Sequence, residues 1–239
     1  MSHRRRAVYG SAAALLSVSL LPLTASASEG WYAGVNVGGN FVDSETFSYN
    51  SNIPNSGGSA DVGYNDDIAW GLNAGYRLPS GFRPEFAIEF RSNDIDSISN
   101  SGNSTQNVSG HVDATTFMAN VWYDFAMPRR EWRRLHPHIG AGLGFADLGV
   151  HNAVFSNAQN AGSIDDSQTV FAYQFGLGLG YDIAPNWTLS ADFRYLATES
   201  GDFHISTATP QISGTASGGY SAESILVGLR YDFGRHVFR

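Results

Sequence analysis

From Trp31 onward, apolar side chains recur at every second position in eight separate runs. The runs are 31–41, 68–78, 86–90, 117–125, 139–145, 171–181, 189–195 and 225–233. Period-two alternation marks a strand with two unlike faces, so the pattern predicts eight strands. The second face is unusual. It carries glycine at Gly38, Gly71, Gly75, Gly140, Gly142, Gly144, Gly176, Gly178 and Gly228. Among these stand charges of both signs: Arg77, Glu85, Glu89, Arg91, Asp124, Asp182, Asp192, Arg194, Arg230 and Asp232. Strands are normally poor in glycine, and such a face makes sense as a crowded interior.

Volume decides between the two ways of closing eight strands. Eight strands enclose room for packed side chains or one small ligand. The apolar face carries Trp, Phe or Tyr on nearly every strand, which is too much bulk to enclose. The expected fold is therefore all-β: an eight-stranded antiparallel up-and-down transmembrane β-barrel, rings toward lipid and glycines inward. The connections agree, because they alternate in length. Residues 43–66, 93–112, 147–168 and 197–221 are long and rich in Ser, Asn, Gly and Asp, and read as loops, whereas 79–82 and 183–187 are short. Aromatic residues also sort to two levels. Trp31, Tyr76, Tyr123, Phe125, Tyr181, Trp187, Tyr231 and Phe233 fall near the short turns. Phe41, Trp70, Phe90, Phe117, Phe145, Phe171 and Tyr195 fall near the long connections. Two such girdles belong at the two water–lipid boundaries.

Composition sharpens this picture. Only 15% of the 239 residues are charged, too few to solvate an ordinary soluble surface of this size. One apolar run is long, and it lies at the N-terminus, so a bundle of spanning helices is excluded. There Arg4–Arg6, an apolar stretch and Ala25-Ser26-Ala27 form the three parts of an export signal, with cleavage expected after Ala27. The expected domains are thus a signal peptide over 1–27 and a barrel domain over 28–239. Cleavage removes three arginines and no acid, taking the net charge from -8 to -11. So acidic a chain is not a nucleic-acid binder. Cys is absent, which excludes disulfides and thiolate chemistry.

Charge is also unevenly placed. The long connections hold Asp43, Glu45, Asp61, Asp66, Asp94, Asp96, Asp165, Asp166, Glu199 and Asp202, and no Arg. Solvation explains such acids; divalent-cation binding requires them to converge. Arg129, Arg130, Arg133 and Arg134 cluster at the other end, around Trp132, as a solvated turn or a docking point for an anionic periplasmic partner. Inside the barrel, charges should pair. The pattern predicts an Arg77–Glu85 pair across a Ser80-Gly81-Phe82 turn with Gly81 at positive φ. It also predicts a network of Asp192, Arg194, Arg230, Glu89 and Arg91 that plugs the lumen together with Trp122. No histidine spacing suits a metal. His204 and Ser206 share a strand face with Glu223 nearby, the geometry of a base and nucleophile.

Several stretches resemble the outer-membrane β-barrel domain family, the OmpA-like, opacity-type and porin-family surface proteins of Gram-negative bacteria. They are Gly30-Trp31-Tyr32-Ala33-Gly34, EFAIEFRSNDID from Glu85, PHIGAGLGFA from Pro137, residues 165–198, and ILVGLRYDF ending at Phe233. The resemblance implies residence in the outer membrane among lipid and lipopolysaccharide. It also implies assembly through a final strand ending at Phe233, beyond which Gly234–Arg239 continue. It brings no catalytic motif, cofactor or metal. The function expected is a structural or interaction protein, antigen- or adhesin-like, presenting four acidic segments to an extracellular ligand. The alternatives are a narrow porin and, through His204, Ser206 and Glu223, a lipid A-modifying enzyme.

Overall fold

The computed structural model describes residues 29–42, 45–51, 58–100, 105–106, 108–156, 161–209 and 211–233. Among them are thirteen strands: β1 (Gly30–Val42), β2 (Glu45–Ser51), β3 (Gly58–Tyr64), β4 (Asp67–Arg77), β5 (Phe82–Asn100), β6 (Thr105–Gln106), β7 (Val108–Asp124), β8 (Leu135–Ser156), β9 (Ala161–Ala184), β10 (Trp187–Thr198), β11 (Gly201–Thr209), β12 (Gln211–Gly218) and β13 (Ser221–Asp232). Eight of them, in the order β1–β4–β5–β7–β8–β9–β10–β13, form an antiparallel ring of chain neighbours. The ring closes where β1 pairs β13, from Tyr32 opposite Asp232 to Val42 opposite Ala222. No edge remains, which hydrocarbon requires because it offers no water to an unpaired backbone group.

The faces are oriented as the alternation predicts. Trp31 (65% exposed), Val35, Leu72, Leu143 (60%), Phe175 and Ile225 point outward. Arg77 (2%), Glu89 (1%), Asn120 and Arg194 point inward. Both girdles are present as touching rings. At the short-turn end Trp31 meets Tyr76 at 5.2 Å and Trp187 meets Tyr231 at 4.9 Å; at the other end Trp70 stacks on Phe90 at 4.4 Å. The inward glycines let bulky side chains lie flat. A Cβ at Gly176 would stand 2.6 Å from Cη2 of Trp122.

The long connections differ from expectation. They are largely strand, not loop, and they extend the barrel. β3 pairs β5, β2 pairs β3, β12 pairs β2, β11 pairs β12 and β9, and β8 and β7 continue alongside. A second ring of eight therefore stands on the first. In it the polarity of the two faces is exchanged. Val112, Leu148, Val170 and Phe203 are buried inside, while Asp147, Thr169 and Asp202 face out. On β7 the apolar positions change parity between Ala114, which is inside, and Phe117, which is outside. This exchange marks where the wall leaves lipid, since below it the outer surface must be apolar and above it polar.

A charge on the lower outer wall should cost stability that the same charge above the exchange would not. Leu72 lies at mid-height opposite Val35. Leu72→Arg is expected to destabilise the barrel by about 2–4 kcal/mol and Thr169→Arg by less than about 1 kcal/mol, read from urea unfolding in lipid vesicles.

Candidate functional site

Two regions could carry function: the lumen, which decides whether anything passes, and the long-connection end. The first short turn sets the register of the lower lumen. It comprises Pro79-Ser80-Gly81, one residue earlier than expected. The Leu78 N–H donates to the Phe82 carbonyl at 2.9 Å, the Gly81 N–H to the Leu78 carbonyl at 3.1 Å, and Gly81 has φ of 90°. That is the three-residue hairpin with glycine in the left-handed position. Phe82 consequently opens β5 and points outward, while Arg83 points inward across from Arg77.

The predicted Arg77–Glu85 pair is thereby displaced. Arg77 reaches Asp124 at 3.4 Å and Asp232 at 3.9 Å instead. Glu85 lies 3.5 Å from Arg83 and accepts from Tyr32 Oη at 3.0 Å, Trp122 Nε1 at 2.9 Å and Asn120 Nδ2 at 3.2 Å. Arg83 donates through Nε to both oxygens of Asp124 at 3.1 Å. The second predicted network forms in part. Glu89 binds both Arg91 and Arg194, and Arg194 lies over the Trp122 ring at 5.2 Å. Asp192 turns to His138 Nε2 at 2.6 Å and accepts from Ser190 at 2.7 Å. Arg230 joins Asp232 at 3.8 Å and lies over Tyr32.

The lower lumen therefore holds Arg77, Arg83, Arg91, Arg194 and Arg230 against Glu85, Glu89, Asp124, Asp192 and Asp232, with no excess of either sign among these groups. Sequence reasoning missed Arg83 and Tyr32. Strand parity reveals both: Tyr32 lies between the outward Trp31 and Ala33, and Arg83 lies two residues before Glu85. The upper lumen holds an apolar cluster beside a set of hydrogen-bonded amides. Met118, Leu148, Val170, Leu196 and Phe203 pack together there with Tyr220. Tyr220 Oη in turn accepts from Asn40 Nδ2 at 3.0 Å, and Asn40 also donates to Asn93 at 2.9 Å. The cavity bordered by Asn36, Glu85 and Arg194 holds about 30 Å³, room for a few water molecules rather than a continuous aqueous path.

At the long-connection end two of the acids tie hairpins together. Asp61 accepts from Thr46 directly opposite at 2.6 Å, and Asp202 accepts from Ser217 opposite at 2.6 Å. Asp43 and the side chains of Glu45, Asp96 and Asp165 lie outside the described residues, as do those of His204 and Ser206. Glu223 is on the outer face of β13, opposite Phe41 and Tyr195. No group of three metal-ligating side chains exists among the described residues.

A closed eight-stranded barrel with an apolar wall, two aromatic girdles and a neutralised interior defines a protein that spans an outer membrane. The chain belongs to the outer membrane protein beta-barrel domain family, which it matches over residues 10–233, and it resides in that membrane in contact with lipid. It is 25% identical to the outer membrane protein PagN of Salmonella typhimurium over 245 residues, covering 91% of this chain and 98% of PagN. Among solved structures it is similar to OprG of Pseudomonas aeruginosa, with a TM-score of 0.58 and 12% identity over 85% of this chain and 96% of OprG. Neisserial surface protein A is also similar, with a TM-score of 0.46 and 18% identity over 85% of this chain and 97% of that one.

The buried pairs should be unequal to the exposed ones. Glu89→Ala leaves Arg91 and Arg194 without their shared carboxylate and is expected to cost about 3–5 kcal/mol. Asp61→Ala, which loses an exposed bond, is expected to cost under about 1 kcal/mol. Unfolding midpoints in detergent, followed by heat-modifiable gel mobility, distinguish the two.

Proposed function

We propose that this protein is a structural or interaction protein of the cell surface, neither an enzyme nor a pore, whose barrel holds the long-connection end outside the cell. The observation that carries this reading is the filled lumen. Paired charges occupy its lower half, and an apolar cluster with hydrogen-bonded amides occupies its upper half, so the barrel anchors what stands on it and conducts nothing. The long-connection end supports the same reading. It offers a broad polar rim with acids and no arginine, suited to an extracellular ligand that is neutral or cationic. Residues 1–27 direct export across the inner membrane and are removed by cleavage after Ala27. The short turns then face the periplasm, lipopolysaccharide surrounds the upper wall, and the strand ending at Phe233 engages the assembly machinery.

Planar-bilayer recording of the folded mature protein should show no stepwise conductance, and steady single-channel steps would assign it to the narrow porins instead. An epitope inserted between Ser51 and Gly58 should be stained by antibody on intact cells. Staining only after permeabilisation would reverse the orientation.

A further inference from the structure

The lipid-facing wall is not uniform. It holds an apolar groove of about 510 Å³, a volume within the range of small-molecule sites. The strand registers fix its course. Tyr123, Ile139, Leu177 and Phe193 are successive cross-strand partners on β7 to β10 and make one lip. Val121, Ala141, Phe175 and Tyr195 are the parallel row and make the other. Ala141 puts a single methyl among larger side chains and notches that lip. The floor is the backbone of Gly140 and Gly176, behind which Trp122 packs. The groove climbs as it crosses the strands. Tyr123 is one residue from the end of β7 at the short turns, whereas Phe193 is six residues above the start of β10.

The low end of the groove adjoins the connection between β7 and β8, which holds Arg129, Arg130, Arg133 and Arg134. All four are exposed, and none enters an ion pair among the described residues. Arg129 lies over Trp132, itself half exposed, at 5.7 Å. The Arg134 carbonyl accepts from the Asp182 N–H at 2.9 Å, next to Tyr181 of the girdle. The cluster thus follows the groove's low lip at Tyr123 in the chain and borders the girdle at the short-turn end, where headgroups lie. Guanidinium forks match phosphate oxygens in geometry and charge.

We propose that the groove and the arginines together form a binding site for one anionic glycerophospholipid of the leaflet at the short-turn end. An acyl chain lies along the groove and the phosphate lies among the four guanidiniums. That this leaflet is the periplasmic one rests on the orientation proposed above.

Native mass spectrometry of the detergent-folded mature protein tests the site with phosphatidylglycerol and phosphatidylethanolamine of identical acyl chains. One phosphatidylglycerol should be retained, about tenfold more strongly than phosphatidylethanolamine. Replacing all four arginines with glutamine should abolish that preference. Ala141→Trp, which fills the notch, should weaken retention of both lipids. Heat-modifiable mobility selects the folded fraction of each variant. Equal retention of the two lipids, a preference that survives loss of the arginines, or retention unaffected by Ala141→Trp would each overturn the proposal. Displacement by soluble peptidoglycan fragments would overturn it too, giving the arginines to a cell-wall partner. The measurement is made in detergent and does not depend on which end faces the periplasm. Epitope staining tests that separately, so either reading can fail alone.

Discussion

Closure of the backbone ladder governs the rest of this structure. In hydrocarbon an unpaired N–H or C=O costs several kcal/mol, so the first and last strands must meet, and they do along eleven residue pairs from Tyr32–Asp232 to Val42–Ala222. Eight strands then fix a narrow interior, and that interior fixes composition. Large side chains are sent outward, glycine lines the inner wall where Trp122 must lie flat, and every charge admitted has to find a partner. The Glu89 carboxylate between two arginines and the Glu85 carboxylate among four donors follow from this confinement.

The fold was legible because lipid imposes a strict rule on each strand. Runs such as Phe117–Phe125 and Phe171–Tyr181 must keep one parity apolar for as long as they cross hydrocarbon. The same rule explains where reading stopped. Above the membrane the outside becomes polar and the inside apolar, so on β7 the apolar parity shifts between Ala114 and Phe117. A strand followed by one parity ends there on paper, although its backbone runs on. The stretches 43–66 and 197–221 read as loops because they are rich in Ser, Asn, Gly and Asp, yet within them β2 pairs β3 and β11 pairs β12.

The charge pairs were legible as a set but not one by one. That Arg77, Glu85, Glu89 and Arg194 are interior follows from parity alone. Which carboxylate meets which guanidinium depends on register, and moving the first turn by one residue brings Arg83 inside. Arg83 sits closer to Glu85 than Arg77 can, so Arg77 crosses to Asp124 and Asp232. Distances of this kind are set by turn geometry and strand stagger, which no single segment encodes.

The upper ring gives the molecule height. On β8 eleven residues follow Phe145, the last described ring facing lipid on that strand, the last of them Ser156. At roughly 3.3 Å per residue and a tilt of about 40°, this is a rise of about 28 Å, well beyond the few ångströms of phospholipid headgroup. Its strands are hydrogen-bonded to one another, and among its described side chains the apolar ones Val112, Leu148, Val170 and Phe203 face inward, so it stands as a pedestal. The crown it lifts can diverge in sequence while the anchor below stays unchanged.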